Sequence, residues 1–302
     1  MNEDHQARTS LRHRSCIAAW AVAVALVACG GGGDSAPANR APTAAAKLSG
    51  EAVARTTVVF DTAGTGDSDG TITTRTWSYG DGQTGTSDSH VYATPGTYTA
   101  TLSVTDNQGA TASASVNLTV AKCSSAGTQA ATLSPYPTMC VQTSRGEMVF
   151  EVYPALAPAT VANFMKYVDD GYFATTLFHR VIPGFVIQGG GFTAGPTAKP
   201  ATYPAIPLES NNTLKNWQYT LAMARTPAPD SATSQFYINL LANPALDYSA
   251  TTAGKNGYAV FGQVISGTAV VDAIGTVATT TRAGLSDVPV DDVVIRSIVR
   301  MP

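Results

Sequence analysis

Phe178-His179-Arg180-Val181-Ile182-Pro183-Gly184-Phe185-Val186-Ile187-Gln188-Gly189-Gly190-Gly191-Phe192 is the stretch on which the fold of this 302-residue chain turns. It reads as two apolar, β-branched strand segments parted by a Pro-Gly loop. Phe178, Ile182 and Phe192 are expected in a core, together with Phe236 further on. Arg180 is the sole cation of the stretch. Taken alone, an arginine at such a position is an ordinary surface ion-pair residue. His179 beside it invites a general-base reading, but a structural hydrogen bond is the expected role.

Working outward, residues 147–153 read as a strand after the Ser144-Arg145-Gly146 turn. Pro158 then opens a helix with Val161, Phe164, Met165 and Val168 at i, i+3, i+4 and i+7, and Gly171 stops it. Most later segments are strand-like and separated by loops containing Gly or Pro. That mixture predicts a mainly β closed barrel with covering helices over residues 139–302. Residues 122–138, rich in Ser, Ala, Thr and Pro, read as a linker. Upstream, residues 97–105 alternate with period two, Asp106-Asn107-Gln108-Gly109 turns the chain, and residues 112–120 form another strand. No helical pattern interrupts residues 42–121, which predicts a small β-sandwich.

The length fits two domains. Only 13% of residues are charged, and the formal net charge is −3. With no Lys/Arg cluster downstream of the N-terminus, the chain offers no basic field for nucleic acid. The four histidines, at positions 5, 13, 90 and 179, are too scattered to suggest a metal centre. At the N-terminus Arg8, Arg12 and Arg14 precede an apolar run over residues 16–28 that is short for a membrane span. It ends in Leu26-Val27-Ala28-Cys29, followed by four glycines.

That ending resembles the lipobox of bacterial lipoproteins. The resemblance implies a signal peptide over residues 1–28, lipidation of Cys29, and a flexible tether over residues 29–41 rich in Gly, Ser and Pro. The implied location is the cell envelope, anchored in the membrane by lipid. Gly30, rather than Asp, after the cysteine implies the outer membrane, facing the periplasm. Cys16 leaves with the signal, so Cys123 and Cys140 remain for a disulfide in an oxidising compartment, with two free buried thiols as the alternative.

Two further resemblances concern the domains. Trp77-Ser78-Tyr79-Gly80-Asp81-Gly82, His90-Val91-Tyr92, Pro95-Gly96-Thr97-Tyr98 and Val104-Thr105-Asp106 are similar to a PKD domain, an Ig-like sandwich. Trp77 is expected between the sheets, Gly80-Asp81-Gly82 in a tight turn, and Tyr98 tying a strand crossing. None of these is a catalytic arrangement, and a ligand of the domain in the envelope stays unidentified. Asp67-Ser68-Asp69-Gly70 reads either as half of a calcium loop or as an ordinary Asp/Gly turn.

The stretch at 178–192 resembles the cyclophilins. So do Leu221-Ala222-Met223-Ala224-Arg225, Ser234-Gln235-Phe236-Tyr237-Ile238-Asn239 and Tyr258-Ala259-Val260-Phe261-Gly262, in wording close to bacterial periplasmic members. The resemblance implies an eight-stranded antiparallel barrel with two covering helices and a substrate groove on its outer face. It implies peptidyl-prolyl cis–trans isomerase activity on proline-containing polypeptides, with Arg180, Phe185 and Gln188 as catalytic residues. Val186, Ala224, Arg225, Tyr237, Leu246 and Tyr258 fall at substrate-binding positions. No cofactor or metal is implied. Ala245 stands where many cyclophilins carry Trp, and Tyr258 where many carry His, so the groove's outer edge departs from the eukaryotic pattern. A peptide-binding chaperone, or an interaction protein acting through its PKD domain, is the alternative reading of the same sequence.

The chemistry explains these residue types. Delocalisation of the nitrogen lone pair gives the peptide bond a rotational barrier of about 18–20 kcal/mol. X–Pro bonds have nearly balanced isomers yet exchange over tens to hundreds of seconds. The catalyst makes and breaks no bond; it must bind the twisted amide better than either planar form. In the twisted state the nitrogen regains its lone pair, and a fixed guanidinium can donate to it.

Overall fold

The computed structural model describes residues 37–302 apart from positions 253 and 255. The expected signal peptide, Cys29 and most of the tether lie outside the described residues.

The first domain contains β1 (Lys47–Ser49), β2 (Val58–Asp61), β3 (Ile72–Ser78), β4 (Thr84–Gly85), β5 (Ser89–His90), β6 (Gly96–Asp106) and β7 (Thr111–Val120). A sheet of order β1-β2-β5 faces one of order β4-β3-β6-β7. The alternation read at residues 97–105 is the reason. Ala100, Leu102 and Val104 point inward, while the intervening Thr and Ser side chains face out. Trp77 is fully buried between the sheets and stacks on Phe60 of the other sheet at 4.6 Å. Its indole N–H donates to Asp88 Oδ1 at 2.9 Å, which satisfies the one polar atom it buries. Tyr98 donates its hydroxyl to the Thr94 carbonyl at 2.9 Å across the Pro95-Gly96 corner. Asn39 and Arg40 are bonded to this domain through Asp106 and Asp69, so the sandwich begins earlier than the tether boundary at residue 41 suggests. Asp67 Oδ1 accepts from the Asp69 amide at 3.4 Å, the geometry of an Asx turn.

The stretch read as a linker contains a helix, α1 (Ser125–Leu133). Ser124 caps it, accepting from the Gly127 amide at 3.0 Å. The second domain follows with β8 (Thr138–Thr143), β9 (Gly146–Val152), α2 (Pro158–Asp169), β10 (Thr176–Ile182), β11 (Val186–Thr193) and β12 (Thr197–Ala198). Then come β13 (Thr220–Met223), β14 (Phe236–Asn239), a 3₁₀ turn (Pro244–Leu246) and β15 (Val260–Ser266). The chain ends with α3 (Thr268–Gly275), β16 (Thr279–Arg282), β17 (Leu285–Pro289) and β18 (Ile295–Arg300).

Eight antiparallel strands run in the order β10-β11-β14-β13-β15-β9-β8-β18. The sheet comes back on itself where Leu177 bridges Val294 and the Phe178 amide donates to the Val293 carbonyl at 2.9 Å. This is a mainly β chain, a β-sandwich followed by a nearly closed barrel. Inside the barrel a cross-strand row of Val181, Ile187, Ile238 and Leu221 is fully buried. Helix α2 buries Val161, Phe164, Met165 and Val168 against it, the face read from the sequence. The Glu209 carboxylate satisfies the free amides of Ala159 and Thr160 at the helix start, at 3.0 and 2.8 Å. Phe178 and Phe236 are in the core as expected, but Ile182 and Phe192 are only half-buried. Ile182 leads into the exposed Pro183-Gly184 turn and Phe192 runs out toward the short strand β12, so both leave the barrel interior.

Candidate active site

Register brings the site together. Arg180 pairs with Gln188, Gln188 with Tyr237, Tyr237 with Ala222, and Ala222 with Val260. Directly opposed residues in antiparallel strands share a face, so five strands present this row on the outer surface of the barrel. Period two adds Val186 on β11, Ala224 just past β13 and Tyr258 just before β15. Phe185 comes from the β10–β11 turn, made tight by Gly184 at φ +71°, and Leu246 from the 3₁₀ turn. Arg180, Phe185, Val186, Gln188, Ala224, Arg225, Tyr237, Leu246 and Tyr258 line one groove holding about 130 Å³.

Arg180 reaches this face because of a bulge. Phe178 pairs with Gly189 while Arg180 pairs with Gln188, so β10 carries one extra residue, His179, against β11. Without it, Phe178 and Arg180 would share a face; with it, Phe178 points into the core and Arg180 outward. His179 lies 5% exposed with its ring 4.4 Å from that of Phe192. Its Nδ1 has no hydrogen-bond partner among the described residues, while the ring keeps a hydrogen bond with the Leu177 backbone. Burial pushes its pKa down to about 4, against an upward pull from the Leu177 backbone.

The floor is apolar: Val186, Ala222, Tyr237 and Val260 are buried, with Phe185, Ala224, Leu246 and Tyr258 packed around them. Arg180 stands at the rim, its side chain 40% exposed. Its Nη1 donates to Gln188 Oε1 at 3.4 Å, and Gln188 in turn donates to Gln235 Oε1 at 3.0 Å. Arg225 is differently placed. Its guanidinium donates to the carbonyls of Gly257, Thr226 and Pro227 and lies over the Tyr258 ring at 4.6 Å, which makes it a wall rather than a free donor. Ala245 is exposed on the 3₁₀ turn beside Leu246.

One neighbour of Arg180 escaped the sequence reading. Asp287 Oδ2, on β17, lies 3.9 Å from Arg180 Nε, and Asp287 adopts φ +60° to put it there. Nothing in its local sequence signals this, since the pairing depends on the β16–β17 hairpin folding back beside β10. Cys123 and Cys140 are joined as a disulfide with Cα atoms 5.9 Å apart. Glu147 lies beside them to complete the three-residue group with metal-ligand spacing, but the two sulfurs are bonded to each other.

Residues 138–300 match the family model described as cyclophilin type peptidyl-prolyl cis-trans isomerase/CLD. The chain belongs to the cyclophilin family. Residues 39–120 match the model of the PKD domain. Peptidyl-prolyl cis-trans isomerase B of Escherichia coli is 48% identical over 156 residues, 52% of this chain and 94% of that protein. Peptidyl-prolyl cis-trans isomerase cyp18 of Streptomyces antibioticus is 49% identical over 160 residues, 53% of this chain and 96% of its own length. A Cryptosporidium parvum cyclophilin crystal structure aligns with 55% of this chain and 98% of its own, at 26% identity and a TM-score of 0.48. The barrel of this cyclophilin is accordingly a peptidyl-prolyl cis–trans isomerase.

Proposed function

We propose that this cyclophilin rotates X–Pro bonds of exported polypeptides at the bacterial cell envelope, with Arg180 donating to the amide nitrogen of the twisted state. The observation that supports it is the pairing of a partly free guanidinium with an apolar floor on one outer face. A proline ring seated on Val186 and Tyr237 brings its amide toward Arg180. Planar amide nitrogen accepts no hydrogen bond and the pyramidal nitrogen does, so the Arg180 interaction strengthens only in the transition state. Phe185, Leu246 and Tyr258 exclude water that would stabilise the planar dipole. Gln188 is within reach of both Arg180 and the peptide backbone. His179 has no part in the chemistry, because rotation moves no proton.

The envelope location rests on the N-terminal sequence: the Arg-flanked apolar run, Leu26-Val27-Ala28-Cys29, and the Gly-rich residues behind it. Lipid on Cys29 would hold the enzyme at the outer membrane, where the PKD domain acts as a spacer or docks on an envelope ligand. The test of the catalytic reading is a prolyl isomerisation assay of the wild type against Arg180→Ala. A folded Arg180→Ala protein with undiminished kcat/KM would refute it.

A further inference from the structure

The apolar groups that would grip a proline ring come from unconnected places: the Tyr237 floor from β14, and the walls Phe185 from the β10–β11 turn and Leu246 from the 3₁₀ turn. Each needs a fixed position relative to the others, and apolar contact alone has little directional preference. Behind them lies Asn216, on the loop before β13, 2% exposed and absent from the groove lining.

Its hydrogen bonds reach Tyr237 directly, and the segments that carry Leu246 and Phe185 through Asp247 and Asn243. Asn216 Oδ1 accepts from the Tyr237 hydroxyl at 2.8 Å and from Asn239 Nδ2 at 3.3 Å. Asn216 Nδ2 and its backbone amide both donate to Asp247 Oδ1, at 2.9 and 2.8 Å, and Asp247 follows Leu246 directly at the end of the 3₁₀ turn. The Asn216 carbonyl accepts from the Asn243 amide at 2.7 Å. Asn243 Nδ2 then donates to the Phe185 carbonyl at 3.0 Å. Burial raises the Tyr237 phenol well above its ordinary pKa, so it stays a donor to Asn216.

We propose that Asn216 is a positioning residue of this isomerase, fixing the floor and two walls of the proline pocket from behind without touching substrate. The proposal rests on the reading of the groove as the isomerase site. The network is closed, since both lone pairs of Asn216 Oδ1 are engaged. Removing its amide leaves the Tyr237 hydroxyl and the Asp247 carboxylate short of a partner in a buried region. A pocket whose walls drift binds proline less well in ground and transition states alike, while Arg180 still acts on the proline that does bind. The effect therefore belongs in KM rather than kcat.

The experiment measures kcat and KM for a proline-containing tetrapeptide with the full chain, the Arg180→Ala control, and Asn216→Leu, Tyr237→Phe and the double variant. Asn216→Leu should raise KM about tenfold and Tyr237→Phe about threefold, with kcat held within about a factor of two. In the Asn216→Leu background, Tyr237→Phe should add no further rise. An unchanged KM in folded Asn216→Leu, a loss confined to kcat, or additive effects would overturn the proposal. If Asn216→Leu does not fold, Tyr237→Phe decides alone: a raised KM supports the network and an unchanged one refutes it. Full activity in Arg180→Ala would instead bring down the reading of the groove, and the proposal with it. Loss in Arg180→Ala alongside an unmoved KM in the other variants rejects Asn216 only.

Discussion

Arg225 and Arg180 line the same groove but differ in what their guanidinium groups already hold. Arg225 is tied to three backbone carbonyls, whereas Arg180 has a long bond to Gln188 and a distant carboxylate at Asp287. An exposed pair like Arg180–Asp287 contributes only about 0–1 kcal/mol, so truncating Arg180 should barely affect folding. In the proposed mechanism its loss from the transition state is another matter. Removing about 4 kcal/mol of selective stabilisation slows turnover roughly a thousandfold. Arg180→Ala is expected to keep its melting temperature and lose most kcat/KM, read by paired thermal melts and an isomerisation assay. His179 supplies a prediction of the opposite kind, on stability and not on rate. Its folded pKa is depressed to about 4 and its unfolded value is about 6.5. The unfolded chain therefore binds the proton first on acidification. The stability from the neutral, buried imidazole is complete above the unfolded pKa and drains away as pH falls toward 4. The loss should be on the order of 2–3 kcal/mol. Denaturant melts between pH 7 and pH 4 should show the wild type losing more than His179→Phe, in which that titration is gone. Equal slopes would mean the imidazole is not buried neutral.

At the scale of elements, β9, α2, β6 and β7 were legible because period and punctuation agree with burial. Pro158 begins α2, and all four apolar residues read on its face are buried. Helix α1 was not legible. Its sequence, Ser-Ala-Gly-Thr-Gln-Ala-Ala-Thr-Leu, has no wide apolar stripe, and the residues it buries are Gly127 and Ala131. What holds it is a local Ser124 cap and the tertiary packing of small residues over the disulfide, where Cys123, Ala131, Cys140 and Val149 form a cluster. The bulge at His179 was also unreadable, since register is a property of two strands and the quoted stretch shows no break. The groove residues themselves were identified through family resemblance; spacing alone does not reveal that Arg180, Tyr237 and Val260 share a row. Helix α1 yields a sharp test. Gly127→Ala would gain up to about 1 kcal/mol in helix propensity. A Cβ there, however, would sit 2.6 Å from Cys123 Sγ and against Glu147 Oε1. Neither atom can retreat freely, because the sulfur is in the disulfide and Glu147 accepts from Ser124 and Gln142. Overpacking costs about 1–3 kcal/mol, so the variant should be less stable by about 1–2 kcal/mol in denaturant titration. A more stable variant would show that α1 can shift off the disulfide.

Across the whole molecule, the start of α1 is held by a carboxylate from each domain. Glu147 of the barrel accepts from the Ser124 amide and hydroxyl at 2.8 and 2.6 Å, while Glu51 of the sandwich accepts from the Ser125 amide at 3.1 Å and from its hydroxyl. Those Ser125 bonds hold the Glu51 carboxyl below its ordinary pKa. Arg296 of the barrel adds a bond to the Arg55 carbonyl of the sandwich at 2.9 Å. With the disulfide just past β7, the connection between domains is braced. Were Cys29 lipidated as proposed, residues 29–39 would set how far the isomerase works from a membrane. Gly/Ser-rich chain of about ten residues has a root-mean-square span of about 15–20 Å, so a lipid on Cys29 would keep the PKD domain close to the surface. Attachment of that kind depends on the thiol, the nucleophile that takes the diacylglyceryl group. Two acyl chains give stable anchoring where one is marginal, so a diacylglyceryl group on Cys29 would suffice to retain the protein. Cys29→Ser should therefore move the protein from the membrane fraction to a soluble or unprocessed form, while the isomerase activity of the released material stays at the wild-type level. Fractionation of cells expressing each form, with mass spectrometry of the N-terminal peptide, distinguishes the outcomes. A wild type that is soluble and carries no lipid would remove the anchor and leave an ordinary exported enzyme.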